Sequence, residues 1–189
     1  MPPIPVNFTT LYNLLDIVTI NNIIEIKTID PNRYTAPYKQ TRWVVGSSLL
    51  FLVPSVYSYK NNQLFLSSLL GLTSAISVNY WRNATYSWRR IMDRIFSKIS
   101  FTIFLVTGVK HIYKIPHIIC GYSGLFGIGY FYYMSNKNSW NENANSSIIN
   151  VEENVETNNE IWWKYHMAFH FLSACSQTIV IHSVINNAK

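Results

Sequence analysis

Charged residues make up only 13% of this 189-residue chain, against about 25% in a typical soluble domain. A water-soluble coat would have to be assembled largely without charge. Acids are the scarcer sign, with nine Asp and Glu against fifteen Lys and Arg. Between Asp30 and Glu142 the sequence holds one acidic residue, Asp93. Cysteine is also sparse. Cys120 and Cys175 stand apart in apolar surroundings, with no CxxC pair, which excludes a disulfide framework or a cysteine-rich zinc site. The beginning, MPPIPVNFTTLYNLLD, lacks the basic region and small-residue cleavage site of a secretory signal peptide, and is read as retained.

What the chain does have is apolar length. Hydrophobic residues make up 49% and aromatics 15%, so disorder is excluded for most of it. The mean hydropathy of +0.08 averages long apolar stretches with Asn-rich patches near Asn136 to Asn145 and Asn154 to Asn159. Four stretches are nearly charge-free: Trp43 to Tyr59, Leu64 to Trp81, Ile115 to Met134 and Trp162 to Ile185. Each has the 17 to 25 residues that a helix needs to cross a hydrocarbon core of about 30 Å. Aromatics gather at their ends, as interfacial side chains do. A further span, around Ile99 to Val109, crosses only if it starts near Ile91. That draws Arg94 and Lys98, which can snorkel to the headgroups, and Asp93, which is too short to do so.

The expected fold is therefore an all-α, multi-pass transmembrane bundle of five spans. Pro54 is expected to kink the first. An amphipathic helix is expected ahead of them, with Phe8, Leu11, Leu14, Leu15 and Val18 on one face. In outline, residues 1–40 form this interfacial segment, 41–134 hold the first four spans, 135–160 form a polar acidic loop, and 161–189 hold the last span. The loop carries five of the nine acids and is a candidate surface for a protein partner.

Five spans put the two ends of the chain on opposite sides. Eleven of the fifteen basic residues then fall on or near the N-terminal side, which the positive-inside rule makes cytoplasmic, together with the 135–160 loop. Topology thus accounts for the net charge of +6, and no nucleic acid partner is needed. The three Asn-x-Ser/Thr matches, at Asn7, Asn83 and Asn145, share that side and are expected to be unglycosylated.

The same topology brings four polar residues to one leaflet. Ser77 lies about 6 Å inside the end of the second span, Asp93 about a turn into the third, and His166 and His170 about 6 and 12 Å into the fifth, at 1.5 Å per residue. His166, His170, Ser173 and Gln177 share one helical stripe. Asp93, Ser97 and Ser100 form a second stripe, and Ser74 with Ser77 a third. Two His at i, i+4 can grip one metal ion, and ionisable groups inside a bundle are functional candidates because burying them is costly. The plain alternative makes the histidines hydrogen-bonded glue with Ser partners and pairs Asp93 with Arg89 or Arg90. His111, His117 and His182 fall toward the opposite side.

The runs SAISVNYWRN, RRIMDRIFSKISF and WWKYHMAFHFLSACS resemble the CREST superfamily of membrane hydrolases, which includes alkaline ceramidases and adiponectin-receptor-like proteins. Its pattern is Ser and His late in one span, Asp early in the next and HxxxH in the last. Ser77, Asp93, His166 and His170 match it by type and order. The resemblance implies a zinc-dependent hydrolase of a lipid amide or ester, acting on membrane lipids. In it His166 and His170 would hold zinc, and Asp93 and Ser77 would be catalytic. Two features depart from the pattern. Tyr80 and Trp81 occupy the region of the expected third His, and the family's seven spans are five here. The other reading is a non-enzymatic scaffold or envelope protein that retains a degenerate site.

Overall fold

The computed structural model describes residues 34–138 and 161–187. The expected amphipathic helix, and residues 139–160 of the expected loop, lie outside them. The described residues are all-helical, apart from a single antiparallel bridge between Tyr34 and Thr85. We label the helices α1 (Tyr38–Ser48), α2 (Leu52–Lys60), α3 (Leu64–Trp81), α4 (Trp88–His111), α5 (Ile115–Lys137) and α6 (Trp162–Asn187). Helix α5 runs through Lys137, so the polar segment begins later than the expected Ser135.

α1 and α2 form one rod joined by a 3₁₀ turn, Leu49–Phe51. Pro54 explains the interruption, because its ring clashes with the carbonyl four residues back and it donates no amide hydrogen. Below it, Asn61 to Gln63 reverse the chain into α3, with Asn62 in the left-handed region at φ 57°, a conformation that Asn tolerates better than most residues. Helices α3 and α6 are long and apolar enough to cross a membrane.

The interior mixes an apolar core around Phe51, Leu70, Phe104 and Ile181 with many small hydroxyl residues. Its buried set includes Ser47, Ser48, Ser58, Thr73, Ser74, Ser77 and Ser100, while Val53, Leu72, Val109, Phe126 and Phe171 are exposed. Small hydroxyl residues let helices approach closely and find hydrogen-bond partners across the gap. Cys120 and Cys175 are free and exposed.

Helix α6 is the hub, packing on α1, α2, α4 and α5. Its register is fixed by side-chain bonds at both ends. Gln40 meets Trp162, Ser47 meets His170 and Tyr57 meets His182, so α6 runs parallel to the α1–α2 rod. Ser135 with His166 and His117 with Ser183 set α5 antiparallel to it. Trp162 Nε1–H donates to Gln40 Oε1 at 2.5 Å. Trp162→Phe is expected to remove about 1 kcal/mol of stability, readable as a lower melting temperature in detergent.

Helix α5 sits on α6 through glycines. A Cβ on Gly124 would stand 2.7 Å from Ser176 Oγ, and one on Gly127 would stand 2.8 Å from Leu172 Cδ1. Although only Ile112 to Lys114 separate α4 from α5, the two helices pack on α6 and hardly on each other. A cleft therefore lies between them, floored by α6.

Candidate functional site

The site gathers at the end of the bundle where α3 stops and α4 and α6 start. Ser77 is one turn from the end of α3, Asp93 is in the second turn of α4, and His166 and His170 are in the first turns of α6. Ser77 and His170 are buried. The last two residues of α1, Ser47 and Ser48, are buried as well and join the two halves.

Proton bookkeeping across these hydroxyls orients the cluster. Ser47 Oγ–H donates to the Val44 carbonyl at 2.9 Å and also lies 2.8 Å from His170 Nδ1. A hydroxyl has one hydrogen to give: where Ser47 gives it to Val44, His170 Nδ1–H is the donor to Ser47 Oγ and Nε2 keeps a lone pair, as an acceptor, a base or a metal ligand. Ser48 Oγ lies 2.9 Å from the Val44 carbonyl and 3.1 Å from Ser77 Oγ, and Ser77 in turn hydrogen-bonds the Asp93 carboxylate. Ser74 Oγ–H donates to the Ser48 carbonyl at 2.9 Å, bracing α1 on α3. The Ser47–His170 pair and the Ser48–Ser77–Asp93 group meet at the Val44 carbonyl, which both Ser47 Oγ and Ser48 Oγ approach. The Arg94 guanidinium acts on Asp93 electrostatically, and Asp93 Oδ1 is buried with no hydrogen-bond partner.

His166 belongs to a more aromatic setting. Its ring meets Trp81 edge-on at 4.8 Å, with Trp162, Phe169 and His170 around it, and its Nδ1 lies 3.2 Å from Ser135 Oγ. The two imidazoles are 4.6 Å apart between centroids, as i, i+4 spacing requires. Trp81 fills the place where a third imidazole was sought, and an indole offers only an N–H donor. Tyr80 turns away, its hydroxyl 2.8 Å from Thr35 Oγ1. Among the described residues, no three of His, Cys, Asp or Glu converge closely enough to hold a metal ion.

His170 also looks outward into the cleft. A cavity of about 280 Å³ runs between α4 and α5, from Phe169 and His170 at one end to Ile112 and His117 at the other. Phe101, Phe104, Leu105, Leu125 and Ile128 make it apolar, while Ser97, Ser100, Ser173 and Gln177 from the two expected polar stripes also line it. Along α6 it extends about 16 Å, from the eleven steps between Phe169 and Val180.

The four residues singled out in the sequence thus share one end of the bundle. Ser77 and Asp93 belong to one hydrogen-bonded group and His170 to a second that shares its Val44 carbonyl, and His166 adjoins His170 by ring contact. Ser47, Ser48, Ser135 and the cleft were not foreseen. The visible signal for the first two was a pair of hydroxyls after Gly46 in an otherwise apolar span. At the far end His182 is held between Tyr57 and Asn186, both at 2.9 Å, and His117 lies 3.3 Å from Ser183. These two behave as interhelical glue. No protein-family model, curated protein or solved structure matches this chain.

Proposed function

We propose that this chain is a five-span membrane protein that hydrolyses an amide or ester bond of a lipid. In this reading the acyl chain lies in the α4/α5 cleft and the scissile carbonyl meets the Ser77–Asp93–His170 cluster. One observation carries the proposal. His170 belongs both to the hydrogen-bonded cluster and to the wall of the apolar cleft, so polar chemistry and a chain-sized groove meet at one side chain. Four helices of 18 to 26 residues, the α1–α2 rod and many exposed apolar side chains support the five-span reading. The excess of basic residues then places the N-terminus and the 135–160 loop in the cytoplasm.

The chain's own residues divide the work. Asp93 Oδ1, buried and unpartnered, takes a proton from the attacking water as general base. The water oxygen bonds to the carbonyl carbon, the C–N or C–O bond breaks, and the proton passes from Asp93 to the leaving amine or alcohol. Ser77 donates its one hydrogen to the Asp93 carboxylate and so positions the base. His170 lines the cleft where that water would enter.

The resemblance adds zinc to this reading, held by His166 and His170. In orientation the pair fits in the tautomer whose Nδ1–H donates to Ser47 Oγ, which leaves the His170 Nε2 lone pair free. In number the pair is one short of the three protein ligands usual in catalytic zinc sites. Bound zinc would lower the pKa of its water to about 7. The test is elemental analysis with an acyl-release assay on the protein purified without chelator. Zinc approaching one ion per chain is expected, easily stripped by EDTA given so few ligands, and absent from His166→Ala/His170→Ala. Released fatty acid is expected from a lipid amide or ester. A metal-free protein that is inert toward both lipid classes would sink the proposal.

One observation favours the scaffold reading instead, namely Trp81 standing where a third imidazole was sought. That reading predicts that deleting residues 139–160 abolishes partner binding while the histidine substitutions change nothing.

A further inference from the structure

The cleft holds polar atoms that the hydrolytic cluster does not use. Ser100 is 2% exposed and Gln177 7%, both line the cavity, and neither Ser100 Oγ nor Gln177 Oε1 has a hydrogen-bond partner in the protein. Most buried polar side chains find a partner, so each such atom calls for an explanation. Their positions suggest one. Ser100 stands seven residues beyond Asp93 on α4, and Gln177 stands seven beyond His170 on α6. Both are therefore about 10 Å past the polar cluster, two helical turns on, Ser100 on the α4 wall of the groove and Gln177 on its α6 floor.

The surroundings there are apolar, with Phe104, Leu125 and Ile128 lining the same cavity. A plain hydrocarbon chain lying in the groove would leave both atoms unpaired. A hydroxyl at that depth has the chemistry each atom lacks, a donor for Gln177 Oε1 and an acceptor for the Ser100 hydroxyl, once a turn of either side chain uncovers it. We propose that the cleft selects an acyl chain hydroxylated near its middle, with Ser100 and Gln177 as the specificity residues. The location of the chain rests on the lipid-hydrolase reading, but selection is a binding property and is measured without turnover.

The test is competition of three free fatty acids against a fluorescent fatty acid on the full-length protein in detergent micelles. The probes are octadecanoic acid, the same acid hydroxylated at mid-chain, and the same acid hydroxylated next to the carboxyl. The mid-chain hydroxy acid is expected to bind about tenfold more tightly than the other two, the effect of filling one or two otherwise unmade buried hydrogen bonds. This comparison uses the unaltered protein and depends on no variant folding. Ser100→Ala and Gln177→Leu, separately and together, are expected to erase the preference while plain octadecanoate binds at least as well as before. Equal affinity for the three acids, no chain binding at all, or a preference that survives the double substitution would each overturn the proposal. Selective binding by a protein with no hydrolase activity would sink the hydrolase reading alone. Hydrolysis without selectivity would sink the chain-selection proposal alone.

Discussion

Asp93→Asn is expected to lower lipid hydrolysis by about a hundred- to ten-thousandfold, the usual contribution of a positioned general base, while the protein melts at the same temperature or higher. The second half of that expectation separates two roles. If Asp93 served to neutralise neighbouring arginines, removing its charge would leave cations unpaired near the membrane edge and cost about 3–5 kcal/mol. As a base it is itself the strained group, a carboxylate with Oδ1 buried and unpartnered. The amide keeps the shape and the Ser77 contact and removes a charge that is costly to bury. Rate and melting temperature measured on one preparation decide between these roles. Ser77→Ala, which removes a donor to Asp93, is expected to lower the rate less and to leave the same nucleophile in place.

Gly124→Leu is expected to be the most damaging single change to the architecture. The added Cβ alone would stand 2.7 Å from Ser176 Oγ, closer than the atoms can lie, and the rest of the side chain must fit into the α5–α6 seam. Overpacking of this kind costs about 1–3 kcal/mol, which corresponds to a melting temperature lower by about 3–10 °C for a chain of this size. Because α5 docks on α6 and hardly on α4, its displacement also widens the cleft, so chain binding should weaken along with stability. Gly129 is the matched control on the same helix, since a Cβ there meets nothing within 4 Å. Gly129→Ala is expected to leave both properties unchanged.

The helices were legible in the sequence because apolar length and charge spacing are local signals. The charge-free run Leu64 to Trp81 is α3 residue for residue, and the run from Ile115 begins α5 at its first residue. Convergence of Ser77, Asp93 and His170 was legible because alternating helices fix the depth of each residue without knowledge of their packing. What could not be read was lateral. Which helix contacts which depends on small-residue surfaces, and the glycines that draw α5 onto α6 look much like those elsewhere in the chain. The cleft between α4 and α5 follows from that choice, so it too was hidden. Ser47 and Ser48 were passed over because serine in a span is common, and its partner is visible only once helices are placed side by side. In the region where the resemblance expects a third histidine, Trp81 packs its indole against His166.

Everything proposed for this protein depends on the polar cluster and the α4/α5 cleft being one site. Photocrosslinking tests that most directly, using a lipid amide whose acyl chain carries a diazirine near its middle, with the full chain in nanodiscs and adducts mapped by peptide mass spectrometry. Adducts concentrated on the cleft-facing residues of α4, α5 and α6 between Ser97 and Val180, and competed by unlabelled lipid, are predicted. Adducts scattered over outward residues such as Val53, Leu72 and Phe171 in proportion to their exposure, and not competed, would contradict it.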